Sequence, residues 1–215
     1  VDDSADCADA AAKIMRSKTF DNATSCSSEN SLIIHTAVYE RMLAALAKQG
    51  GALLTAAEKA TLQQALFPGG RLSPACTAQS VSKICAVAGL TRPELVAARC
   101  LMVEESGTGR DYPYSGEKLS PVLTLYRARD FDHAFSIMRG IYDYMGDGHS
   151  CGIYSEDEAH IQRLGREMTV CRVIVKQAHA IANGGSFDNG LPFSLSMGCG
   201  TWGGNSFSDN LNYRH

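Results

Sequence analysis

The chain has 215 residues, of which 45% are hydrophobic and 20% are charged, and its formal net charge is −3. These values are typical of a globular protein with a substantial core, and they exclude a disordered or fibrous chain. No Lys/Arg cluster suggests nucleic acid as a partner, and no apolar run approaches the ~20 residues that a membrane-spanning helix needs. No signal peptide is visible and the first residue is Val1 rather than Met, so we expect an excised domain of a longer protein.

The eight cysteines show no spacing that is typical of a metal site or a disulfide framework. They stand at positions 7, 26, 76, 85, 100, 151, 171 and 199, without a Cys-x-x-Cys pair or a close Cys/His group. Cys85, Cys100, Cys151 and Cys171 lie within apolar patterns, where cysteine behaves as a small hydrophobic residue. We therefore expect a reduced, cytoplasmic protein without a metal site.

Apolar spacing and start signals identify six helical patterns. In chain order they are residues 4–17, residues 36–48, a helix opened by a capping box at Thr55, a helix between Ser73-Pro74 and Gly89, a helix after Asp130, and a helix opened by a second capping box at Ser155. The helix after Asp130 has the clearest pattern, because apolar residues recur there at spacings of three and four.

Short apolar or β-branched runs alternate with these helices, at residues 32–35, 97–103, 122–126, 151–154 and 171–175. This alternation predicts an α/β fold, a mostly parallel sheet covered by helices on both faces. Such sheets usually bind ligands in loops at the carboxyl ends of their strands, so we expect the site there. From residue 177 the chain is glycine-rich and weakly patterned, which predicts a functional loop or an interface within a single domain.

One cysteine stands apart from the others because its neighbours are polar. Cys26 lies in the run Thr-Ser-Cys-Ser-Ser-Glu (24–29), after an alanine-rich helix and before the first predicted strand. A thiol in a polar loop at such a junction is a candidate nucleophile, because only the thiolate attacks electrophiles and polar surroundings favour that form. Glu29, three residues later, is interpreted as a local hydrogen-bonding group rather than as a base.

Four segments of the chain carry a family resemblance. They are Phe-Asp-Asn (20–22) with Cys26, Gly-Glu-Lys-Leu-Ser-Pro-Val (116–122), Gly-His-Ser (148–150) and Met-Gly-Cys-Gly-Thr-Trp-Gly-Gly-Asn-Ser (197–206). Together they resemble the catalytic domain of CoA-acylating aldehyde dehydrogenases, a group that includes the sulfoacetaldehyde dehydrogenases and the aldehyde dehydrogenase half of bifunctional aldehyde-alcohol dehydrogenases. The resemblance implies one aldehyde dehydrogenase-like catalytic domain over residues 1–215.

The resemblance also implies roles for four residues. Cys26 matches the nucleophile, which adds to the aldehyde and holds the acyl group as a thioester until coenzyme A removes it. His149 is interpreted as a general base for the CoA thiol or for Cys26, although a histidine hydrogen-bonded at a turn fits these residues equally well. Glu117 matches the glutamate that holds the nicotinamide ribose of NAD or NADP. Leu119 occupies a position that packs against the nicotinamide, with core packing as the alternative.

The chain contains no Gly-x-Gly-x-x-Gly segment for nucleotide phosphates. The resemblance implies that the nucleotide-binding domain and a C-terminal oligomerisation strand lie outside this chain, and that the full-length protein is a homo-oligomer. We expect residues 1–215 alone to be inactive as a dehydrogenase. Residues 190–197 and 209–215 are most similar to sulfoacetaldehyde dehydrogenases, which suggests a sulfonated aldehyde as substrate and Arg214 as a candidate partner of its sulfonate.

Three alternative functions stay open on the residues alone. A hydrolytic aldehyde dehydrogenase would carry a further glutamate base at a position before Val1. A cysteine hydrolase would use Cys26 and His149 without a nicotinamide cofactor. A non-catalytic assembly domain would use the glycine-rich end as an interface. Four further histidines are interpreted as structural or solvent-exposed and receive no role: His35, His133, His160 and His179.

Overall fold

Six strands form two parallel sheets in the computed structural model, which describes residues 1–215. The strands are β1 (Ser31–His35), β2 (Gly51–Leu53), β3 (Cys100–Glu104), β4 (Val122–Ala128), β5 (Cys151–Ile153) and β6 (Val173–Val175). The larger sheet has the order β1-β4-β3-β2, and the smaller sheet pairs β5 with β6. Every strand pair is parallel, so the predicted α/β fold with a mostly parallel sheet is confirmed.

Eight helices connect and cover these strands. They are α1 (Cys7–Lys18), α2 (Tyr39–Lys48), α3 (Ala56–Leu66), α4 (Val81–Ala88), α5 (Pro93–Val96), α6 (Phe131–Met145), α7 (Glu158–Glu167) and α8 (His179–Ala182). Alternate residues of β3 point to opposite faces, so Cys100 and Met102 join the core under α1 and α2, whereas Leu101 and Val103 join the core under α3, α4 and α5. Helices therefore cover the larger sheet on both faces, as predicted. None of the helices has the length and apolar character needed to cross a membrane.

The start signals of the helices are confirmed at two positions and wrong at two others. Thr55 forms the predicted capping box with Glu58, and the Asp130 carboxylate caps α6 by accepting from the His133 N–H. Ser73 starts no helix, because α4 begins at Val81 with Ser80 as its cap. Ser155 starts none either, because Asp157 caps α7 and the Ser155 hydroxyl donates to the Asp2 carboxylate instead.

Short elements were not predicted from the sequence. β2 has only three residues, and it pairs with β3 alone at the edge of the sheet. The single-turn helix α5 was also absent from the prediction. Beyond β6 the regular structure consists of α8 and a single 3₁₀ turn over Thr201–Gly203, in agreement with the weak pattern of this part of the sequence.

The predicted site residues lie before strands rather than after them. Cys26 precedes β1, Glu117 precedes β4, and His149 precedes β5. The expectation of a site at the carboxyl ends is therefore wrong. Because β1 and β4 are adjacent and parallel, the loops that enter them meet at the amino ends of these strands. This brings Cys26 and Glu117 to the same side of the sheet.

The backbone of residues 1 and 2 joins the two sheets. Val1 N donates to the Ile33 carbonyl at 2.7 Å, and the Val1 carbonyl accepts from His35 N at 2.9 Å. Asp2 N donates to the carbonyl of Tyr154, directly after β5, at 2.9 Å. Residues 1 and 2 thus link β1 to the residue that follows β5.

Candidate active site

The loop that carries Cys26 begins with a strained turn. After α1 ends at Lys18, three consecutive residues have left-handed backbone angles, with φ of 47° at Asp21, 51° at Asn22 and 57° at Ala23. Each costs a residue with a Cβ about 1 kcal/mol, so the turn persists only because its surroundings hold it. The turn reverses the chain between α1 and β1 and leaves the Cys26 side chain exposed.

His149 lies directly opposite the Cys26 thiol. The distance between His149 Nε2 and Cys26 Sγ is 3.2 Å, which is within hydrogen-bonding distance for sulfur. Burial lowers the pKa of His149 below its ordinary value of 6.5, and the positive charge of Arg172 lowers it further. The imidazole is therefore neutral at neutral pH and can accept a proton from the thiol.

Ser150 connects His149 to two further residues that received no role in the sequence analysis. Its Oγ lies 2.7 Å from His149 Nδ1, 2.9 Å from His179 Nε2 and 3.1 Å from Asn183 Nδ2. His179 is 9% exposed, and burial together with the nearby His149 lowers its pKa to about 4. No local signal marks His179, because it is 29 residues from Ser150 and lies in a short apolar helix.

Glu117 lines the same cavity as Cys26 and His149. Its carboxylate forms no hydrogen bond or ion pair within the chain, so both oxygens are free to accept from a ligand. The loop around it is held from two sides. Lys118 N donates to Asn30 Oδ1 at 3.0 Å, which ties the loop to the segment after Cys26. The Lys118 ammonium donates to the carbonyl of Gly116 at 2.8 Å.

Leu119 is not brought to this cavity. It has a left-handed backbone, with φ of 42°, and its carbonyl accepts from Ala78 N at 2.8 Å. Asn22 Nδ2 donates to the Ala78 carbonyl at 3.4 Å, so Leu119 lies close to the strained turn rather than among the lining residues. Its packing against a nicotinamide stays a prediction.

The cavity itself has a volume of about 350 Å³. Its polar lining includes Cys26, Glu117 and His149, and α6 supplies much of its apolar wall: Phe131, Ala134, Phe135, Met138, Ile141, Tyr142 and Met145. No Lys or Arg lines it, and Arg214 lies exposed at the surface beside Tyr213. Trp202 and Phe193 are 53% and 62% exposed and also lie outside the lining.

Glu29 makes long-range contacts instead of the local ones expected from the sequence. Its carboxylate accepts from Ser17 Oγ at 2.5 Å and from the backbone N–H of His179 at 3.3 Å. Burial raises the pKa of Glu29 to about 7. Lys18, which acts on it electrostatically, is fully buried and its ammonium has no hydrogen-bond partner, so burial lowers its pKa to about 8.

No model of a known protein family matches the chain. Among curated proteins it is 59% identical over 214 residues to a sulfoacetaldehyde dehydrogenase (acylating) from Cupriavidus necator, covering 100% of the chain and 43% of that relative. It is 33% identical over 219 residues to the bifunctional aldehyde-alcohol dehydrogenase AdhE of Escherichia coli, covering 100% of the chain and 24% of that relative.

Among solved structures, an acetylating aldehyde dehydrogenase from Geobacillus thermoglucosidasius superposes with a TM-score of 0.93 at 32% identity, over 98% of this chain and 46% of that one. The chain thus spans less than half the length of each of these proteins. The sequence match and the structural match both cover nearly all of its residues, so the resemblance extends well beyond the four short segments. Over its whole length, the chain is a relative of the acylating aldehyde dehydrogenases.

Proposed function

We propose that the chain is the thiol-bearing catalytic domain of an NAD(P)-dependent, CoA-acylating aldehyde dehydrogenase. The observation that carries the proposal is the 3.2 Å contact between Cys26 Sγ and His149 Nε2 at a cavity that Glu117 also lines. A nucleophile, a neutral base and a free carboxylate are thereby available to one bound substrate. The overall reaction converts an aldehyde and coenzyme A into an acyl-CoA.

The first step uses Cys26 and His149. His149 accepts the thiol proton at Nε2, and the thiolate attacks the aldehyde carbon, whose C=O electron pair moves to oxygen to give a thiohemiacetal oxyanion. The backbone N–H of Cys26 donates to no acceptor within the chain and is suited to this oxyanion. His149 is the group in hydrogen-bonding contact with the Cys26 thiol that can take its proton.

Glu117 is suited to hold the ribose of the nicotinamide cofactor. A carboxylate with two unengaged acceptor oxygens matches a pair of ribose hydroxyls. Neither oxygen of the Glu117 carboxylate has a partner within the chain. A nicotinamide bound there would supply the hydride acceptor through which the adduct on Cys26 becomes an acyl thioester. The residues that would bind its phosphates are not evident here, and we propose that they belong to a nucleotide-binding domain outside residues 1–215.

The acyl group then leaves Cys26 for a second thiol. His149, having released its first proton to solvent, accepts the proton of the CoA thiol. The CoA sulfur attacks the thioester carbon, the bond to Cys26 Sγ breaks, and the leaving thiolate recovers the proton from His149. Sulfur suits both halves of the reaction because it is a good nucleophile and a good leaving group.

The proposed aldehyde is sulfoacetaldehyde, since this chain is 59% identical to the sulfoacetaldehyde dehydrogenase of Cupriavidus necator over the 214 residues that align. No Lys or Arg lines the cavity, so within residues 1–215 the sulfonate would be bound by hydroxyls and N–H groups rather than by Arg214. We further propose that the full-length protein is a cytoplasmic homo-oligomer.

The test uses the full-length protein with NAD or NADP and a panel of aldehydes, with and without coenzyme A, followed by absorbance of the reduced cofactor. We expect reduction that depends strictly on coenzyme A, that is lost in Cys26→Ala, and that favours sulfoacetaldehyde over acetaldehyde. Equal activity without coenzyme A would contradict the acylating reaction. Equal turnover of acetaldehyde would contradict the substrate alone. Steady production of NADH or NADPH by residues 1–215 alone would contradict the proposed division into domains.

The Cys26–His149 pair is also the arrangement of a cysteine hydrolase. That function would require cleavage of activated esters without a cofactor, and it would leave Glu117 dispensable. A Glu117→Gln variant separates the two functions. It should weaken cofactor use while leaving the reaction of Cys26 with an activated ester unchanged.

A further inference from the structure

The hydrogen bonds around Ser150 restrict where the protons of the site can lie. A serine hydroxyl has one proton to donate and two lone pairs to accept with. Ser150 Oγ has three partners, namely Asn183 Nδ2 at 3.1 Å, His149 Nδ1 at 2.7 Å and His179 Nε2 at 2.9 Å. Asn183 Nδ2 is an obligate donor, and it also donates to Ser27 Oγ at 2.9 Å. Of the two histidines, one must therefore donate to Ser150 and the other must accept from it.

The chemistry of Cys26 decides between these two arrangements. Once His149 has taken the thiol proton it is an imidazolium, and its Nδ1 can then only donate. Ser150 must accept that hydrogen bond and give its own proton to His179 Nε2. The opposite arrangement, in which Ser150 donates to His149, would have to reverse every bond in the chain each time the thiol is deprotonated.

We propose that Ser150 and His179 are positioning residues that keep His149 in the Nδ1–H tautomer, with Nε2 free to accept the Cys26 proton. His179 serves as the terminal acceptor of this chain of hydrogen bonds, with its own proton on Nδ1. The assignment deepens the proposed function, since it rests on His149 acting as the base. Asn183 completes it by filling the second lone pair of Ser150.

The surroundings of His179 keep its ring neutral, so that one of its two nitrogens can accept a hydrogen bond. His179 is buried, and the neighbouring ring of His149 disfavours a second positive charge. Its backbone N–H donates to Glu29, which fixes the start of α8 relative to the Cys26 loop. The charged group that acts on His149 is Arg172, whose guanidinium donates to the Gly198 carbonyl at 2.8 Å and to Asn210 Oδ1 at 2.9 Å.

Two measurements on the 215-residue chain test the assignment without requiring dehydrogenase activity. The first is ¹⁵N NMR of the histidine side chains at pH 7.5, with His149 and His179 assigned from His149→Gln and His179→Gln. We expect both rings in the Nδ1–H form, and Ser150→Ala should shift His149 toward a mixture of tautomers. A His149 ring in the Nε2–H form in the unmodified protein would overturn the proposal.

The second measurement is the rate at which iodoacetamide alkylates Cys26 as a function of pH, read by mass spectrometry of the Cys26 peptide. Ser150→Ala should slow alkylation at pH 7 by about tenfold and move the midpoint of the profile to higher pH. Ser150→Thr, which keeps the hydroxyl, should restore the profile, and so should His179→Gln, which keeps an acceptor, relative to His179→Leu. Ser136→Ala, at an exposed position of α6, is the matched control.

A Ser150→Ala profile that superimposes on that of Ser136→Ala would overturn the assignment and leave Ser150 a structural residue. If the Nδ1–H tautomer and the alkylation shift are found but the full-length protein shows no CoA-dependent aldehyde oxidation, the proposed function fails and the hydrogen-bond assignment stands. The two proposals can therefore fail separately.

Discussion

The ammonium of Lys118 donates a hydrogen bond of 2.8 Å to the carbonyl of Gly116, and both residues are buried. The same ammonium donates to the Tyr114 carbonyl at 2.7 Å. The two hydrogen bonds from one side-chain nitrogen to backbone carbonyls close the loop that presents Glu117, so a buried lysine acts here as a brace. Burial lowers the pKa of Lys118 well below its ordinary value.

Lys118→Met should loosen this loop. Loss of both hydrogen bonds is expected to lower the free energy of unfolding by about 1–3 kcal/mol and to raise the KM for the nicotinamide cofactor several-fold, because Glu117 is no longer held. Urea denaturation and cofactor titration of the full-length protein measure the two effects. Lys83→Met, on the exposed face of α4, should change neither. A normal cofactor KM in Lys118→Met would show that the loop needs no brace.

The raised pKa of Glu29 predicts that the free energy of unfolding falls as the pH rises. Burial raises its folded pKa from 4.5 to about 7, so between these values the folded protein binds a proton that the unfolded chain has released. The free energy of unfolding should therefore decrease from pH 4.5 to pH 7, by about 1–3 kcal/mol from this group. Glu29→Gln should flatten the pH dependence measured by urea denaturation across that window. Parallel curves for the two proteins would refute this origin.

The lowered pKa of Lys18 predicts that the free energy of unfolding rises with pH in the alkaline range. Its folded pKa is lowered from 10.5 to about 8, so above pH 8 the unfolded chain binds the extra proton and stability rises with pH until about 10.5. Lys18→Met, which removes an unpartnered buried ammonium, should be more stable than the wild type at pH 7 and should lose this rise. A lower stability of Lys18→Met at pH 7 would mean that its charge is compensated.

His149→Gln should lower kcat/KM of the full-length protein by about 10²- to 10⁴-fold, because the proton of the Cys26 thiol loses its acceptor. The wild-type rate should fall as pH drops below 6.5, since the pKa of His149 lies below that value. This acid limb should be absent from the residual activity of His149→Gln. His133→Gln, on α6, serves as the control. An unchanged acid limb in His149→Gln would assign it to another group.

Ala78→Gly tests the strain beside the Cys26 loop. Ala78 has φ of 58° and is partly exposed, so glycine should adopt this backbone more readily and stabilise the protein by about 0.5–1 kcal/mol. Ala12→Gly in the exposed side of α1 should have the opposite sign, costing about 1 kcal/mol. Urea denaturation of both variants distinguishes relief of local strain from a general effect of glycine. The strain argument fails if both variants are destabilised.

The α/β fold could be predicted because the spacing of apolar residues along the chain differs between strands and helices. The prediction failed at Ser73 and Ser155, since a serine before a helical pattern resembles a cap even where the helix begins at a later residue. The Ser155 hydroxyl donates to Asp2 instead. The short strand β2 was missed because three residues carry no period.

The candidate site was predictable only where short motifs mark it. Cys26, Glu117 and His149 lie in recognisable segments, and the structure brings all three to one cavity. His179 and Glu29 contribute through contacts between distant parts of the chain, which no local pattern encodes. The position of the site at the amino ends of the strands could have been read from the sequence, because Cys26, Glu117 and His149 each precede a predicted strand. The general preference of parallel sheets for sites at the carboxyl ends gave the wrong expectation.

The hydrogen bonds of residues 1 and 2, which form the joint between the two sheets, affect how long the catalytic pair stays in contact. Cys26 belongs to the loop entering β1 and His149 to the loop entering β5, while the peptide groups of Val1 and Asp2 hold these two strands together. The thiol and the imidazole therefore separate whenever the sheets move apart at this joint. Deuterium uptake at His35 N and Asp2 N would record how often that opening occurs, and so how often the pair is out of reach for proton transfer.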